Sequence, residues 1–491
     1  MPERRLVGID LGIASEHTAC VLRGDGSEVC RRRARPSRES LQELERVAVA
    51  GTPAGTRLEV IMEPTGSSWL PVAVYFAGRG HVVYRVSSVK ASDLRRVLSR
   101  HAKSNRIDAV ALARLPTVVP DGLFPLELGS HDQAALDRRV RACHRLTRLA
   151  AEHKTRIKDL VRQLLPLTPL GTDLSRADLA VLERTGADPH RLIRLGLAEL
   201  TSLIAEASRH RLGSRRAQQW LDAARLAIEL YQDHPAVSFG DLAEEVQTEV
   251  RLLAATDDEL GHHAIAREQA YDRVDPGALA RSLPGIGEVG APSLVAALGR
   301  PQRFRSGRRV RSFTGFTPRS SETGETERKG QPISKAGPGR LRTTLVLAAD
   351  FARKLDPQLA RVYYVQMTER GACHQKALCV VAAKLAERAL TVLKRGTPYE
   401  VRDIDGRPVS KEEAKAIIAE HWTVPEEVRR RRRGRKQQRG KVPQQVLPGH
   451  ANAGARSAAT RRPSPQPMLA GRLTPIKEVL AGVATRTGVR T

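Results

Sequence analysis

The sequence predicts an α/β domain at its amino-terminal end, followed by two mainly helical regions. Three observations carry this reading. Short apolar runs at Leu6–Leu11, Leu58–Met62 and His81–Val86 alternate with helical patterns up to about residue 118. A long stretch from Leu136 then places apolar residues alternately four and three apart. From Ala278 onward, glycine-rich turns separate further helical patterns.

The first run, Leu6-Val7-Gly8-Ile9-Asp10-Leu11-Gly12, is bounded by charged residues and reads as a buried strand with Asp10 in its middle. Aspartate is depleted from strand interiors, and burying a carboxylate costs several kcal/mol unless a cation meets it, so Asp10 needs a reason to be there. His17–Leu22 and Ser27–Arg31 flank Arg23-Gly24-Asp25-Gly26, whose glycines suit a hairpin. A helix is expected over Arg38–Ala50, and Leu58–Met62 forms the next strand, with Glu63 closing it just before Pro64 and Gly66. Then come a helix after Gly66, the strand His81–Val86, and helices from about Ser88 and Ser104, the last carrying Asp108 in its first turns.

Three antiparallel strands followed by alternating helices and parallel strands is the order of a ribonuclease-H-like (RuvC-like) fold. In that order the first and fourth strands are neighbours, which brings Asp10 beside Glu63, at strand ends where α/β sheets place their sites. Asp10, Glu63 and Asp108 together would favour a hard cation such as Mg²⁺ or Mn²⁺. Singly, each acid could equally be a helix cap, a solvated side chain or the partner of an arginine.

In the middle region, expected over 119–277, the seam Leu136, Val140, Cys143, Thr147, Ala150, Lys154, Ile157, Val161 and Leu164 is blemished at Thr147 and Lys154. Further helices are expected over Arg215–Tyr231 and Phe239–Asp272. A dimerising coiled coil and an intramolecular bundle both satisfy this pattern. The third domain, 278–400, opens with Leu283-Pro284-Gly285-Ile286-Gly287, which resembles the turn of a helix-hairpin-helix. Gly285 and Gly287 could leave backbone N–H groups open to a phosphate, or could serve only the turn. Residues 401–491 read as a basic, disordered tail, with Arg429–Arg433 followed by a stretch poor in apolar residues.

The 491 residues carry a formal charge of +28, more than solubility requires, so a polyanionic partner is expected and nucleic acid is the obvious one. Aromatics are only 3% of residues, which favours backbone contacts over base-stacking platforms. Five scattered cysteines give no disulfide framework. The charged amino terminus and the lack of a membrane-length apolar run point to a cytoplasmic, nucleoid-associated protein with no membrane partner.

A second chemical site is suggested by Ser334, set among glycines beside Lys335 with Arg340 and Arg342 close by. Such a hydroxyl could attack phosphorus while the basic groups stabilise charge on the phosphoryl oxygens. A serine before a glycine-rich turn can equally be a helix cap.

Asp10, the Glu63-Pro64-Thr65-Gly66 turn, the Lys103–Ala109 block, the Leu283–Gly287 turn and the Ile333–Gly337 block occur in the order seen in DEDD-type insertion-sequence transposases, the RNA-guided serine recombinases. The chain resembles that family over roughly residues 5–400. The resemblance implies a RuvC-like domain, a coiled coil and a carboxy-terminal transposase domain. It also implies that Asp10, Glu63 and Asp108 hold Mg²⁺ and that Ser334 forms a covalent link to DNA. Other implied features are a noncoding guide RNA and assembly as a dimer or tetramer. Where the family pattern has an aspartate three residues before the last acid, this chain has Asn105, whose amide oxygen can still coordinate a hard cation with one charge fewer. Asp93 is a further carboxylate that could substitute. Competing readings are a metal-dependent junction-resolving nuclease, an architectural DNA-binding protein, and an actin-like or sugar-kinase ATPase, whose first strand uses a similar Gly-Ile-Asp-Leu-Gly run.

Overall fold

The computed structural model describes residues 3–98, 104–120, 123–232, 234–319, 322–323, 326–327 and 331–431. Its amino-terminal part is a five-stranded sheet. Strands β1 (Arg5–Asp10), β2 (His17–Arg23) and β3 (Glu28–Ala34) form an antiparallel meander, helix α1 (Arg38–Ala48) follows, and β4 (Leu58–Met62) pairs in parallel with β1. After α2 (Trp69–Gly78), β5 (Val82–Arg85) adds in parallel to β4, giving the order β3-β2-β1-β4-β5. Helices α3 (Ser88–Leu98) and α4 (Asn105–Val118) complete this part.

Side-chain alternation assigns the two faces of the sheet. Val7, Ile9, Val60 and Met62 pack with Leu41, Leu44, Val72 and Phe76 of α1 and α2. Leu6, Cys20 and Leu22 pack with Ala109 and Ala113 of α4, and Ile61 packs with Leu94, Leu112 and Leu115. Gly8 belongs to that second face, and a Cβ placed on it would lie 2.1 Å from the Ala109 carbonyl oxygen and 2.3 Å from the Ala113 nitrogen. Helix α4 therefore rests on bare strand backbone. On the opposite side, Glu45 of α1 accepts from Tyr75 at 2.6 Å, Arg79 at 2.7 Å and the His81 ring at 2.9 Å. Burial pushes the Glu45 carboxyl up, but these donors outweigh it and hold it below the usual carboxylate range.

The chain then leaves the sheet along α5 (His131–Leu164), passes through α6 (Arg176–Thr185), α7 (Pro189–Ala207) and α8 (Ser214–Tyr231), and returns along α9 (Phe239–Val274). Cross-links run Asp132 to Arg273, Arg139 to His263, His153 to Glu249 and Arg156 to Glu245. One number rises as the other falls, so α5 and α9 are antiparallel partners forming a stalk about 50 Å long at 1.5 Å per residue. Of the two readings open for the seam, this is the intramolecular one. Ala150, Ile157, Val161 and Leu164 bury against α6–α8, with Trp220 at the centre, whereas Leu136 and Val140 bury in the carboxy-terminal core. The two blemishes are accommodated locally. Thr147 donates its hydroxyl to the Cys143 carbonyl at 2.9 Å, and Lys154 reaches Asp173 at 3.6 Å.

The carboxy-terminal core contains short helical turns at Leu279–Ser282 and Pro301–Arg303, α10 (Gly290–Leu298), α11 (Gly307–Thr314), a two-residue ribbon of β6 (Glu322–Thr323) and β7 (Thr326–Glu327), α12 (Gly339–Ala352), α13 (Pro357–Thr368) and α14 (His374–Arg395). Asp356, fully buried, caps α13 through the Leu359 amide at 2.8 Å and meets Arg388 of α14 at 3.0 Å and the Tyr399 hydroxyl at 2.6 Å.

Two sequence expectations need correction. Asp10 is the last residue of β1 rather than its middle, because the turn toward β2 begins at once. The tail does not begin at 401. Residues 401–409 make a small turn with Arg402 bridged to Pro408, and α15 (Lys411–His421), closed by a Ser410–Glu413 capping box, packs on α13. Val424 is buried in the same core, and a helical turn reaches residue 431. Alternating apolar and charged residues on one short helix concealed this segment. The remainder of the expected tail, 432–491, lies outside the described residues.

The contact at Gly8 can be tested directly. Gly8→Ala should destabilise the sheet by about 2 kcal/mol or more, since neither backbone atom facing it can withdraw easily. Urea or thermal unfolding of the full chain, read against Gly261→Ala at an open position of ordinary backbone conformation, measures this.

Candidate functional site

Parallel register sets Ile9 opposite Met62, so Asp10 and Glu63, one residue further on each strand, emerge side by side at the ends of β1 and β4. By alternation both belong to the face covered by α3 and α4, together with Gly8 and Ile61. Glu63 begins the turn through Pro64 and Gly66, where the Thr65 amide donates to the Glu63 carbonyl at 2.9 Å and Gly66 takes a φ of +51°. Both acids are half-buried.

Helix α4 starts at Ser104, whose hydroxyl accepts from the Ile107 amide, and its first turn carries Asn105 and Asp108. Asp108 accepts from Arg95 of α3 at 3.2 Å, and Arg95 also donates to Ser92 at 3.3 Å. Asp108 is therefore held by a guanidinium. Asn105 is exposed, and Asp93 pairs with Arg96 at 3.6 Å on an open surface of α3. Among the described residues, no three of the histidines, cysteines and acids stand close enough to share one ion. The structure thus aligns the first two predicted acids and puts Asn105 and Asp108 on the helix over the same face.

Sequence reading missed His17. It is buried at the start of β2, and its Nδ1 accepts from the Gly12 amide at 3.2 Å, closing the loop that follows Asp10. Its Nε2 is buried without a hydrogen-bond partner among the described residues. Burial lowers the pKa of this ring below 6.5. Nothing in the local pattern distinguishes it from a surface histidine, so only the tertiary packing reveals it.

In the carboxy-terminal core, Ser334 is not a helix cap, because the cap position of α12 is Pro338, four residues later. The Ser334 amide donates to the Thr317 carbonyl at 2.8 Å, and the Lys335 amide donates to Gly315 at 3.1 Å. The hydroxyl itself is loosely held, donating to the Gly315 carbonyl and accepting from the Ala336 amide, both at 3.4 Å. Lys335 is exposed and takes a left-handed φ of 56°, uncommon outside glycine. A Cβ on Gly337 would lie 1.8 Å from the Phe313 carbonyl oxygen, and one on Gly315 would lie 2.2 Å from that of Ala336. The glycines around Ser334 therefore let the loop press against the end of α11.

The basic residues near it divide by role. Arg342 donates through Nη1 to the carbonyls of Thr314, Lys335 and Ala336, each at 3.2 Å, and so pins the loop. Arg340 lies 3.7 Å from Asp137 of α5, which also pairs with Arg141 at 2.5 Å. The Arg340 Nη1 is buried without an acceptor among the described residues, and burial lowers the guanidinium pKa, with Asp137 opposing. Gly285 has a structural reason of its own. With φ at 75°, it lets the turn meet α12, where a Cβ would be 2.3 Å from the Ala348 carbonyl oxygen. Gly287 is open, with nothing within 4 Å of such a Cβ.

Residues 7–166 match the DEDD transposase model of IS110-type elements, and residues 277–364 match the model described as the transposase IS116/IS110/IS902 family. Between them these segments cover half of the chain and contain both candidate sites. The chain belongs to the IS110 transposase family. It is 26% identical to the uncharacterised 43.6 kDa protein of insertion element IS110 of Streptomyces coelicolor, over 71% of this chain and 84% of that protein. It is 21% identical to the pilin gene-inverting protein of Moraxella bovis over 42% of this chain, spanning 59% of that relative's length. Against a probable family 20 transposase of Pseudomonas aeruginosa, identity is 30% over 31% of this chain and 44% of that protein. A DEDD domain implies a divalent cation, and the oxygen-only donors at the ends of β1 and β4 suit one. No helix among the described residues is long and apolar enough to cross a membrane.

The His17 contact makes stability depend on pH. The folded ring resists protonation and the unfolded ring does not, so the unfolded chain binds more protons below about pH 6.5 and stability falls with acidification through that range. Urea midpoints measured between about pH 5 and 7.5 should show this slope, and His17→Gln should flatten it.

Proposed function

We propose that this IS110-family chain is the recombinase of an insertion element and that it breaks and rejoins DNA through a phosphodiester to Ser334. The observation that carries the reading is the in-register placement of Asp10 and Glu63 on the face covered by α4, in a chain whose second matched segment holds a loosely bonded serine among cations. In the first step the Ser334 hydroxyl releases its proton to solvent, its Oγ bonds to phosphorus, and the bond from phosphorus to a deoxyribose oxygen breaks, freeing a DNA hydroxyl. A hydroxyl of a second strand then attacks the same phosphorus and releases the serine. Bond energy is conserved, so rejoining needs no nucleotide cofactor.

Lys335 is exposed where it can meet the phosphoryl oxygens, and Arg340 presents a buried donor that lacks an acceptor. Arg342 positions the loop through its three carbonyls. The open amides near Gly287 can take a neighbouring backbone phosphate, with Gly285 shaping the turn. Asp10 and Glu63, with Asn105 and Asp108 above them, would hold the Mg²⁺ or Mn²⁺ ion, which when bound supplies positive charge to the phosphoryl group. Arg95, at 3.2 Å, balances the charge of the Asp108 carboxylate and orients it.

The excess of positive charge supports a nucleic-acid partner, and the family resemblance supports an element-encoded guide RNA that supplies sequence recognition by base pairing. A second protomer of a dimer or tetramer would place a metal site beside each serine. A cytoplasmic, nucleoid-associated location follows from this role.

The full chain incubated with element-end DNA and RNA transcribed from the element's flank should yield DNA that stays attached to protein after denaturation. Ser334→Ala should abolish that adduct, whereas Asp10→Asn should abolish strand exchange and leave DNA binding in place. Nicking without an adduct would make the chain a metal nuclease of the junction-resolving type. Asn105→Asp should lower the Mg²⁺ concentration needed for half-maximal activity; an unchanged metal titration would remove Asn105 from the ligand set.

A further inference from the structure

Outside both candidate sites, the end of α12, α13 and the segment after α15 enclose a cavity of about 340 Å³. Its walls include Arg353, Lys354, Tyr363, Trp422 and Arg429. Only the first three lie within the matched family segments, so the cavity is completed by residues beyond them. The segment is anchored by Val424, 3% exposed in the carboxy-terminal core, and by α15 on α13.

Two properties of this wall point to one ligand chemistry. The first is charge. Asp350 accepts from Arg353 at 2.6 Å and lies 3.7 Å from Lys354, while Arg429 has no carboxylate partner among the described residues. Two cations thus share one acid and the third has none, and the cavity favours an anion. The second is flat apolar surface. The Arg353 guanidinium stacks 4.3 Å from the centre of the Tyr363 ring, and Trp422 stands edge-on to Tyr364 at 5.6 Å. The Trp422 indole N–H is buried and has no acceptor among the described residues. In a chain with only 3% aromatic residues, such a gathering against cations is notable for what it fits: a planar ring bearing hydrogen-bond acceptors and a phosphate. The volume falls in the range of small-ligand pockets.

We propose that this cavity binds one nucleotide of a single-stranded nucleic acid. Its base lies against Trp422 and the outer face of the Arg353 guanidinium, which Tyr363 backs, and its phosphate meets Lys354 and Arg429. Arg430 and Arg431 follow Arg429 on the same helical turn, so the strand's next phosphate would be met by a cation of that turn. The nature of the ligand rests on the reading of the chain as a nucleic-acid enzyme, but the binding is separate from the chemistry at Ser334.

The test uses the full chain with short 5′-phosphorylated oligonucleotides carrying a photoreactive thymine or uracil, in parallel DNA and RNA arms. Adducts mapped by mass spectrometry should fall on Trp422, and the arm that gives them identifies the strand. Trp422→Ala and Arg429→Ala should each weaken single-strand affinity about tenfold and leave affinity for a duplex of equal length unchanged. Arg429 is exposed, so its replacement does not threaten the fold. Unchanged affinity in Arg429→Ala, adducts confined to other regions, or displacement of the strand by equimolar free thymidine or uridine monophosphate would overturn the proposal. Ser334→Ala should bind the strand normally, so a missing covalent adduct with intact single-strand binding counts against the recombination chemistry alone.

Discussion

The amino-terminal site depends on one close approach, the seating of α4 on the backbone of β1 at Gly8. With no side chain between them, the Ala109 carbonyl and Ala113 amide come within contact of the strand. Small residues at 109 and 113 keep the rest of the helix equally close, and Leu112 and Leu115 fill the groove over Ile61. The same face ends in Asp10 and Glu63. A helix seated anywhere else would carry Asn105 and Asp108 away from it. The placement of α4 over the two strand ends is thus a consequence of how tightly a helix and a sheet can pack, and the loop closed by His17 and Gly12 holds the end of β1 in place.

The long antiparallel pair of α5 and α9 serves two cores at once. Near the sheet, Leu136, Val140, Ala270 and Tyr271 belong to the carboxy-terminal core, and far from it the seam belongs to the cap around Trp220. This continuity places Asp137 of α5 against Arg340, six residues beyond Ser334. A repeated electrostatic pattern accompanies it. Asp137 serves Arg141 and Arg340, and Asp350 serves Arg353 and Lys354. Each carboxylate fixes two cations and neutralises only one charge. The surplus stays ordered and aimed, which is what recognition of a polyanion requires. Part of the large positive charge is thus built into the folded surface in pairs and does not reside only in the arginine run.

Local sequence determined the elements of the sheet domain because each carries its own signal. Period-two apolar runs, a glycine hairpin and the Pro-Gly stop after Glu63 sufficed for β1 to β5, and β1 beside β4 followed from their order. The heptad-like spacing found α5, but spacing alone could not name the partner, since an apolar seam is satisfied by any matching helix; the ion pairs from Asp132–Arg273 to Arg156–Glu245 decided it within the chain. Composition placed residues 401–431 in a tail because charge dominates there. Only the buried contacts of Val424 and the capping box of α15 distinguish a folded segment from a solvated one.

The chemistry divides in the same way. The sequence by itself put forward the candidates, Asp10, Glu63, Asn105, Asp108 and Ser334, because residue type and position in a strand, turn or helix start are local properties. Tertiary structure alone decided what each is given to work with. It set Asp108 against Arg95, made Arg342 a brace for the Ser334 loop, fixed Gly285 as a packing contact and brought His17 under the loop after Asp10. These are pairings between elements far apart in the chain, and their energies arise from burial and distance, which no local pattern encodes.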